Sequence, residues 1–235
     1  ASVLGKQFAF DVLLEVTGLA EGELTSQLNA LVAAEFVHHL HLLGRTYGFD
    51  HGLFQEIGYA TLLRRQRRDL HQAAFNALSR RKASSSPVEE LAHHAYGGEL
   101  WAQAVPLCRE AGLRAASRYS NREAALHLEN ATNALDRADP ESHQLALAIA
   151  LRLELRSVSI PLLRMPRVAS LLAEAQEMAE RLSDVPQRAR IAAFVAGHAY
   201  LTQSPGRCLQ LCRDALELAE QGDDPKLRIA PTLYS

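Results

Sequence analysis

Three groups of side chains in this 235-residue sequence are of types that do chemistry. The ten histidines include His38-His39 with His41, and His93-His94; imidazole serves as a proton shuttle or a metal ligand. Adjacent residues on a helix point about 100° apart, so neither doublet can grip one ion through a single helical face. On a strand His39 and His41 would share a face, but no third ligand stands near them in sequence, and the histidines read as ordinary half-buried or exposed residues. The three cysteines are Cys108, Cys208 and Cys212. The last two lie four apart on one predicted helix, yet no His or carboxylate cluster completes a tetrahedral set. They read as small buried hydrophobes, with no disulfide framework expected. The third group is basic. Arg64, Arg65, Arg67 and Arg68 form the best candidate for contact with nucleic-acid phosphates.

Against that contact stands the rest of the chain. Lys plus Arg number 25 and Asp plus Glu 27, so there is no overall field to draw in DNA or an acidic membrane. The second predicted helix, which would enter a DNA groove, carries Glu21, Glu23 and Glu35 and no Lys or Arg; it would repel a duplex. Nucleic acid is therefore disfavoured as a partner, and the arginines read as a solvated or partner-facing surface. The chain also lacks a glycine-serine elbow, a phosphate loop and a dinucleotide fingerprint. Together with a helical architecture this points away from an enzyme, and a hydrolase built on the histidines ranks last.

At 48% hydrophobic the chain can bury a sizeable core. Its apolar runs, such as Leu28 to Phe36, are broken by Asn29 or Glu35 and fall short of the roughly 20 residues that span a bilayer. The N-terminus shows no basic segment followed by an apolar core, and a cytoplasmic, soluble protein is expected.

The elements that must position these residues follow from periodicity. A short helix is predicted over Phe8 to Val16 and stops at Gly18. A second covers Glu21 to Phe36, with Leu24, Leu28, Leu31 and Val32 as one apolar stripe. Val37 to Phe49, with its Gly44-Arg45 turn, suits a hairpin. Two helices and a hairpin make a winged-helix outline. One long helix is then predicted from His51 to Arg80, with an apolar stripe through Leu53, Ile57, Ala60, Leu63, Leu70, Ala74, Phe75 and Leu78. Lys82 to Pro87 breaks it and sets a boundary between a domain over 1–82 and another over 88–235. The second domain reads as helices over Val88 to Tyr96, Leu100 to Tyr119, Arg122 to Arg137, Ser142 to Ser157, Arg167 to Ser183, Pro186 to Leu201 and Gly206 to Gln221, with a last one starting near Pro225. Arg122 to Leu126 leading to Glu129-Asn130-Ala131 resembles Arg167 to Leu171 leading to Glu174-Ala175, and Arg207 to Leu211 leading to Asp214-Ala215. Such a recurrence marks a helical solenoid. The expected fold class is thus all-α: a winged-helix-like head followed by antiparallel helical repeats of tetratricopeptide-like kind.

Phe49-Asp50-His51-Gly52-Leu53-Phe54-Gln55-Glu56, followed by Tyr59, Leu62-Leu63, Arg64-Arg65, Arg67-Arg68 and Leu70-His71, resembles the region after the nucleotide-binding core in bacterial STAND ATPases. These are large signalling proteins of NB-ARC-like type, linked to adenylate cyclase or LuxR-type regulator domains. Ala1 to Phe8, with Leu13-Leu14 and Leu31 to Ala34, is similar too. The resemblance covers Ala1 to Arg137, and the rest as generic helical repeat. It implies a phosphate loop and Walker acid upstream, in a nucleotide-binding domain of the same polypeptide that holds ATP or ADP, with no cofactor in this chain itself. It implies repeats that bind a protein or small-molecule signal and a head that relays this to the nucleotide switch; such coupling requires a two-state element, for which the head-to-repeat junction near Ser84 to Pro87 is the candidate. His51 falls where such heads often carry a Met-His-Asp motif whose histidine approaches the β-phosphate of ADP; here Asp50 and Gly52 replace its neighbours. The alternative function is a winged-helix transcriptional regulator that contacts a duplex through Arg64 to Arg68.

Overall fold

The computed structural model describes residues 1–40, 45–81, 87–138, 144–182, 184–202, 205–221 and 232. His41, Gly44, Ser84 to Ser86, Ser142, Ser183 and the helix expected near Pro225 lie outside the described residues. The chain divides into two compact units, Ala1–Cys108 and Arg109–Ser235, and the division falls inside one helix. The described residues are mostly helical, with one small sheet, and no helix among them is long and apolar enough to cross a membrane.

In the first unit a 3-10 turn at Ser2–Leu4 leads into β1 (Gln7–Ala9), α1 (Phe10–Thr17) and α2 (Glu21–Ala33). Then come β2 (Val37–His39), β3 (Thr46–Phe49), α3 (Gly52–Ala60), α4 (Arg64–Ser79), α5 (Val88–Gly97) and the start of α6 (Trp101–Ser117). Gly18 ends α1 in the left-handed region (φ 66°), where its N–H bonds to the Leu14 carbonyl. The expected hairpin is present, β2 pairing antiparallel with β3. A third strand was not expected: β1 pairs antiparallel with the other edge of β3, Phe8 opposite Tyr47. The predicted helix from Phe8 therefore starts two residues later. Three residues are too short to show a period, and Phe8 is held by stacking on Tyr47 at 5.9 Å, a contact remote in sequence. Phe8, Phe10, Leu13, Leu24, Leu28, Val37, Tyr47 and Leu78 form the core beneath the sheet.

The long helix expected from His51 to Arg80 is two helices meeting at Thr61–Leu63. Breaking a helix frees carbonyls that need donors. Arg67 supplies them, its Nε donating to the Leu62 carbonyl at 2.9 Å and its Nη2 to the Ala60 carbonyl at 3.0 Å, while Gln66 Oε1 accepts the Leu63 N–H at 3.1 Å. The expected apolar stripe splits with the helix. Ala74 and Leu78 of α4 are buried, but Leu53, Ile57 and Leu63 are 61%, 53% and 69% exposed, and α3 buries none of its residues fully.

The second unit continues with the end of α6, α7 (Asn121–Ala138), α8 (Leu145–Ser159), α9 (Met165–Leu182), α10 (Val185–Thr202) and α11 (Pro205–Gln221). Each helix from α7 to α11 packs on the next. Short links that return a helix alongside its predecessor make the neighbours antiparallel. The buried positions recur. Ala124, Leu128, Ala131 and Leu135 of α7 have counterparts in Val168, Leu172, Ala175 and Ala179 of α9, and in Cys208, Cys212, Ala215 and Ala219 of α11. The spacing in each helix is i, i+4, i+7, i+11, one continuous buried stripe. The correspondence of Ala131, Ala175 and Ala215 read in the sequence is that of the buried stripe, whereas Arg122 to Leu126 is matched to Arg167 to Leu171 one residue out of step: Leu126 is 56% exposed while Leu171 is fully buried, and Leu128 and Leu172 are the equivalent pair. Cys208 and Cys212 occupy core positions of this stripe.

Candidate functional site

His51 follows β3 by two residues and caps α3 with extended backbone (φ −130°, ψ 135°). Its carbonyl accepts the Phe54 N–H at 3.0 Å, and its ring lies edge-on to Phe54 at 5.6 Å. The side chain borders an open depression of about 430 Å³ lined by Val32, Glu35, Val37, His38, Asp50 and His51. Within it His38 Nδ1 and Asp50 Oδ1 are 2.7 Å apart. The carboxylate fixes the His38 ring and favours a proton on Nδ1. Glu35 adopts a left-handed backbone (φ 58°) at the rim. Two imidazoles beside two carboxylates can exchange protons or bind a polar, partly cationic group. They offer an anion a mixed field, since the carboxylates oppose what the imidazoles attract.

The four arginines expected to act together are held in different ways. Arg67 closes the α3–α4 elbow and lies over the Tyr59 ring at 4.9 Å, so it is engaged in the fold. Arg68 Nη2 bonds Asp69 at 3.1 Å. Arg64 Nη2 donates to Glu99 at 2.9 Å, yet its side chain is 89% exposed; Arg65 is 87% exposed and sits 3.9 Å from Asp69. Only Arg64 and Arg65 present their charge fully to solvent. On α2, Glu21 bonds Arg45.

The histidines divide similarly. His39 packs on Tyr47 across the sheet, ring centroids 4.4 Å apart, and His41 lies outside the described residues. His93 is exposed while His94 is buried, as their angular separation on one helix requires. Among the described residues no group of three or more His, Cys, Asp or Glu could hold a metal ion.

One cluster was not foreseen. His71 of α4 and His94 of α5, each 1% exposed, bring their Nδ1 atoms to 3.0 Å, and Tyr59 of α3 places its hydroxyl 3.1 Å from His71 Nε2. One Nδ1 must donate and the other accept, so at most one of the two facing nitrogens carries a proton. Burial, reinforced by the neighbouring His93, lowers His71 to about 4; burial with His93 and His71 lowers His94 to about 3. The approach of α5 depends on Gly97, where a Cβ would stand 2.8 Å from the His71 ring. The spacing of His71, Ala74 and Leu78 at i, i+3, i+7 signals that His71 is buried, but not which residues it meets.

In the second unit Arg152 is 5% exposed, with Nε donating to Glu174 at 2.8 Å and Nη2 at 3.6 Å from Asp136. Burial raises Glu174, but hydrogen bonds from Ser170 and Arg152 and the charges of Arg152 and Arg167 outweigh it and hold the carboxyl below its usual range. Arg109 shares its Nε–H between the two Glu154 oxygens, at 3.0 and 3.1 Å, and donates from Nη2 to Oε1 as well. These pairs tie α6 to α8 and α8 to α9, contacts that sequence spacing does not show.

No protein-family profile matches the chain, and no solved structure does. The chain is similar to an uncharacterized protein of Rhizobium meliloti (strain 1021), 33% identical over 135 residues. That stretch is 56% of this chain and 13% of the relative, which is therefore about a thousand residues long.

Proposed function

We propose that this chain is a non-catalytic regulatory and interaction segment of a STAND-type signalling ATPase. Its tetratricopeptide-like repeats bind a protein or small-molecule signal, and its winged-helix-like head relays that event to a nucleotide switch upstream in the same polypeptide. The observation that carries the reading is the recurrence of one buried stripe in α7, α9 and α11, at 44 and then 40 residues, as in Ala131, Ala175 and Ala215. Single helix pairs of this kind cannot bury their apolar face alone, so they stack, and stacked repeats offer extended binding surfaces. Two helices with a small antiparallel sheet at the start of the chain support the head. A relative of about a thousand residues supports a place in a large multidomain protein.

His51 is the residue through which the head would touch ADP. Glu35 and Asp50 beside it oppose a phosphate, so such contact depends on ring N–H donors of His51 and His38 facing the ligand. No observation favours duplex DNA, because Arg67 and Arg68 already have partners within the fold. Calorimetric titration with ATP and ADP tests the assignment: the 235-residue chain alone gives no binding, and the complete polypeptide binds both. Saturable binding or hydrolysis of ATP by the chain alone overturns it.

A further inference from the structure

Two features of the α3–α4 elbow are unfavourable for this chain by itself. Leu53 and Ile57 lie one turn apart on α3, and Leu63 stands at the elbow, all three more than half exposed; a clustered apolar surface of this kind marks an interaction site. Arg64 and Arg65 stand in the first turn of α4, which holds no acidic residue of its own and where the helix dipole is already positive. Arg64 pairs with the half-buried Glu99 and Arg65 loosely with Asp69, yet both guanidinium groups remain largely in water. The elbow is held by Arg67, which bonds the Leu62 and Ala60 carbonyls, and by Tyr59, which ties α3 to His71. Exposed Leu53 and Ile57 on α3 are followed across this elbow by exposed Leu63 and two solvated guanidinium groups, so apolar and basic side chains are offered by one bonded segment.

We propose that the α3–α4 elbow docks an acidic amphipathic helix of a partner protein, leucine-type side chains meeting Leu53, Ile57 and Leu63, and carboxylates meeting Arg64 and Arg65. A duplex satisfies the arginines and leaves the apolar row in water. A second copy of this chain meets like charge in either orientation, because Lys6 lies beside Gly52 at the opposite end of α3. An anionic bilayer has to accept Glu56, exposed between Leu53 and Ile57, whereas a helix can set a lysine or asparagine against it.

The test is fluorescence anisotropy of the 235-residue chain with a labelled helical peptide carrying leucines at i, i+4 and i+7 and glutamates at one end. A peptide with lysines in place of the glutamates is the control. We expect saturable binding of the acidic peptide alone, weakened about tenfold or more in Leu53→Ser/Ile57→Ser and in Arg64→Ala/Arg65→Ala. Both variants change exposed side chains, and an unchanged thermal unfolding curve shows that each still folds. Equal binding of both peptides, binding of neither, or no effect of the variants overturns the proposal. So does co-sedimentation with phosphatidylserine–phosphatidylcholine vesicles, or a dimer in sedimentation velocity that Leu53→Ser/Ile57→Ser abolishes.

Discussion

The buried His71–His94 pair makes the first unit sensitive to acid. In the unfolded chain both rings protonate near 6.5, whereas in the fold they do so near 4 and 3. Between these values the unfolded state binds more protons, so stability is complete above 6.5 and is lost as pH falls toward the folded values. At about pH 5 the unfolded rings lie 1.5 units below their pKa, which costs about 2 kcal/mol for each histidine and about 4 kcal/mol for the pair. Against a usual domain stability of about 5–15 kcal/mol this is a large share. Trp101 is the single tryptophan, and its ring lies 5.6 Å from Tyr96, two residues beyond His94; its fluorescence reports this unit. Urea unfolding followed at Trp101 should show the midpoint falling from pH 8 to pH 5. Replacing both rings by apolar groups, His71→Leu/His94→Leu, should remove most of that fall. A wild-type midpoint that does not move, or an equal fall in the double variant, would refute the reasoning.

Three further outcomes follow from the packing. Gly112→Ala places a Cβ 2.7 Å from Leu128 Cγ and 3.3 Å from the Ala124 carbonyl; it should destabilise the second unit by about 1–3 kcal/mol in urea unfolding followed by circular dichroism. Arg152→Met leaves Glu174 with Arg167 and Ser170 only and should cost about 2 kcal/mol in the same assay. Burial pushes the Cys108 thiol up to about 12, and burial with the Cys208 hydrogen bond pushes Cys212 up to about 11; neither should react with iodoacetamide at neutral pH until urea is added, as mass spectrometry would show.

Much of the helix layout was legible because a period of 3.6 over a dozen or more residues is a strong signal, as in α7 or α9. The failures lie where a remote partner decides. Gln7–Ala9 is a strand only because β3 offers a free edge, and α3 separates from α4 because Arg67 satisfies the carbonyls of the break. The repeat and its register were visible in Ala131, Ala175 and Ala215, but burial was needed to show that Leu126 does not match Leu171. For the site, the arginines were found by type and spacing, and His51 through the family resemblance of the segment around it. The link from His71 to His94 joins residues on different helices, and no local spacing reveals it.

The proposed coupling of repeats and head to a nucleotide switch elsewhere in the polypeptide is read in the release rate of a fluorescent ADP analogue from the complete polypeptide, with and without residues 109–235. Coupling between sites changes affinity by about fivefold or more, and the account predicts a change in release of that size. Identical release from both forms would contradict it.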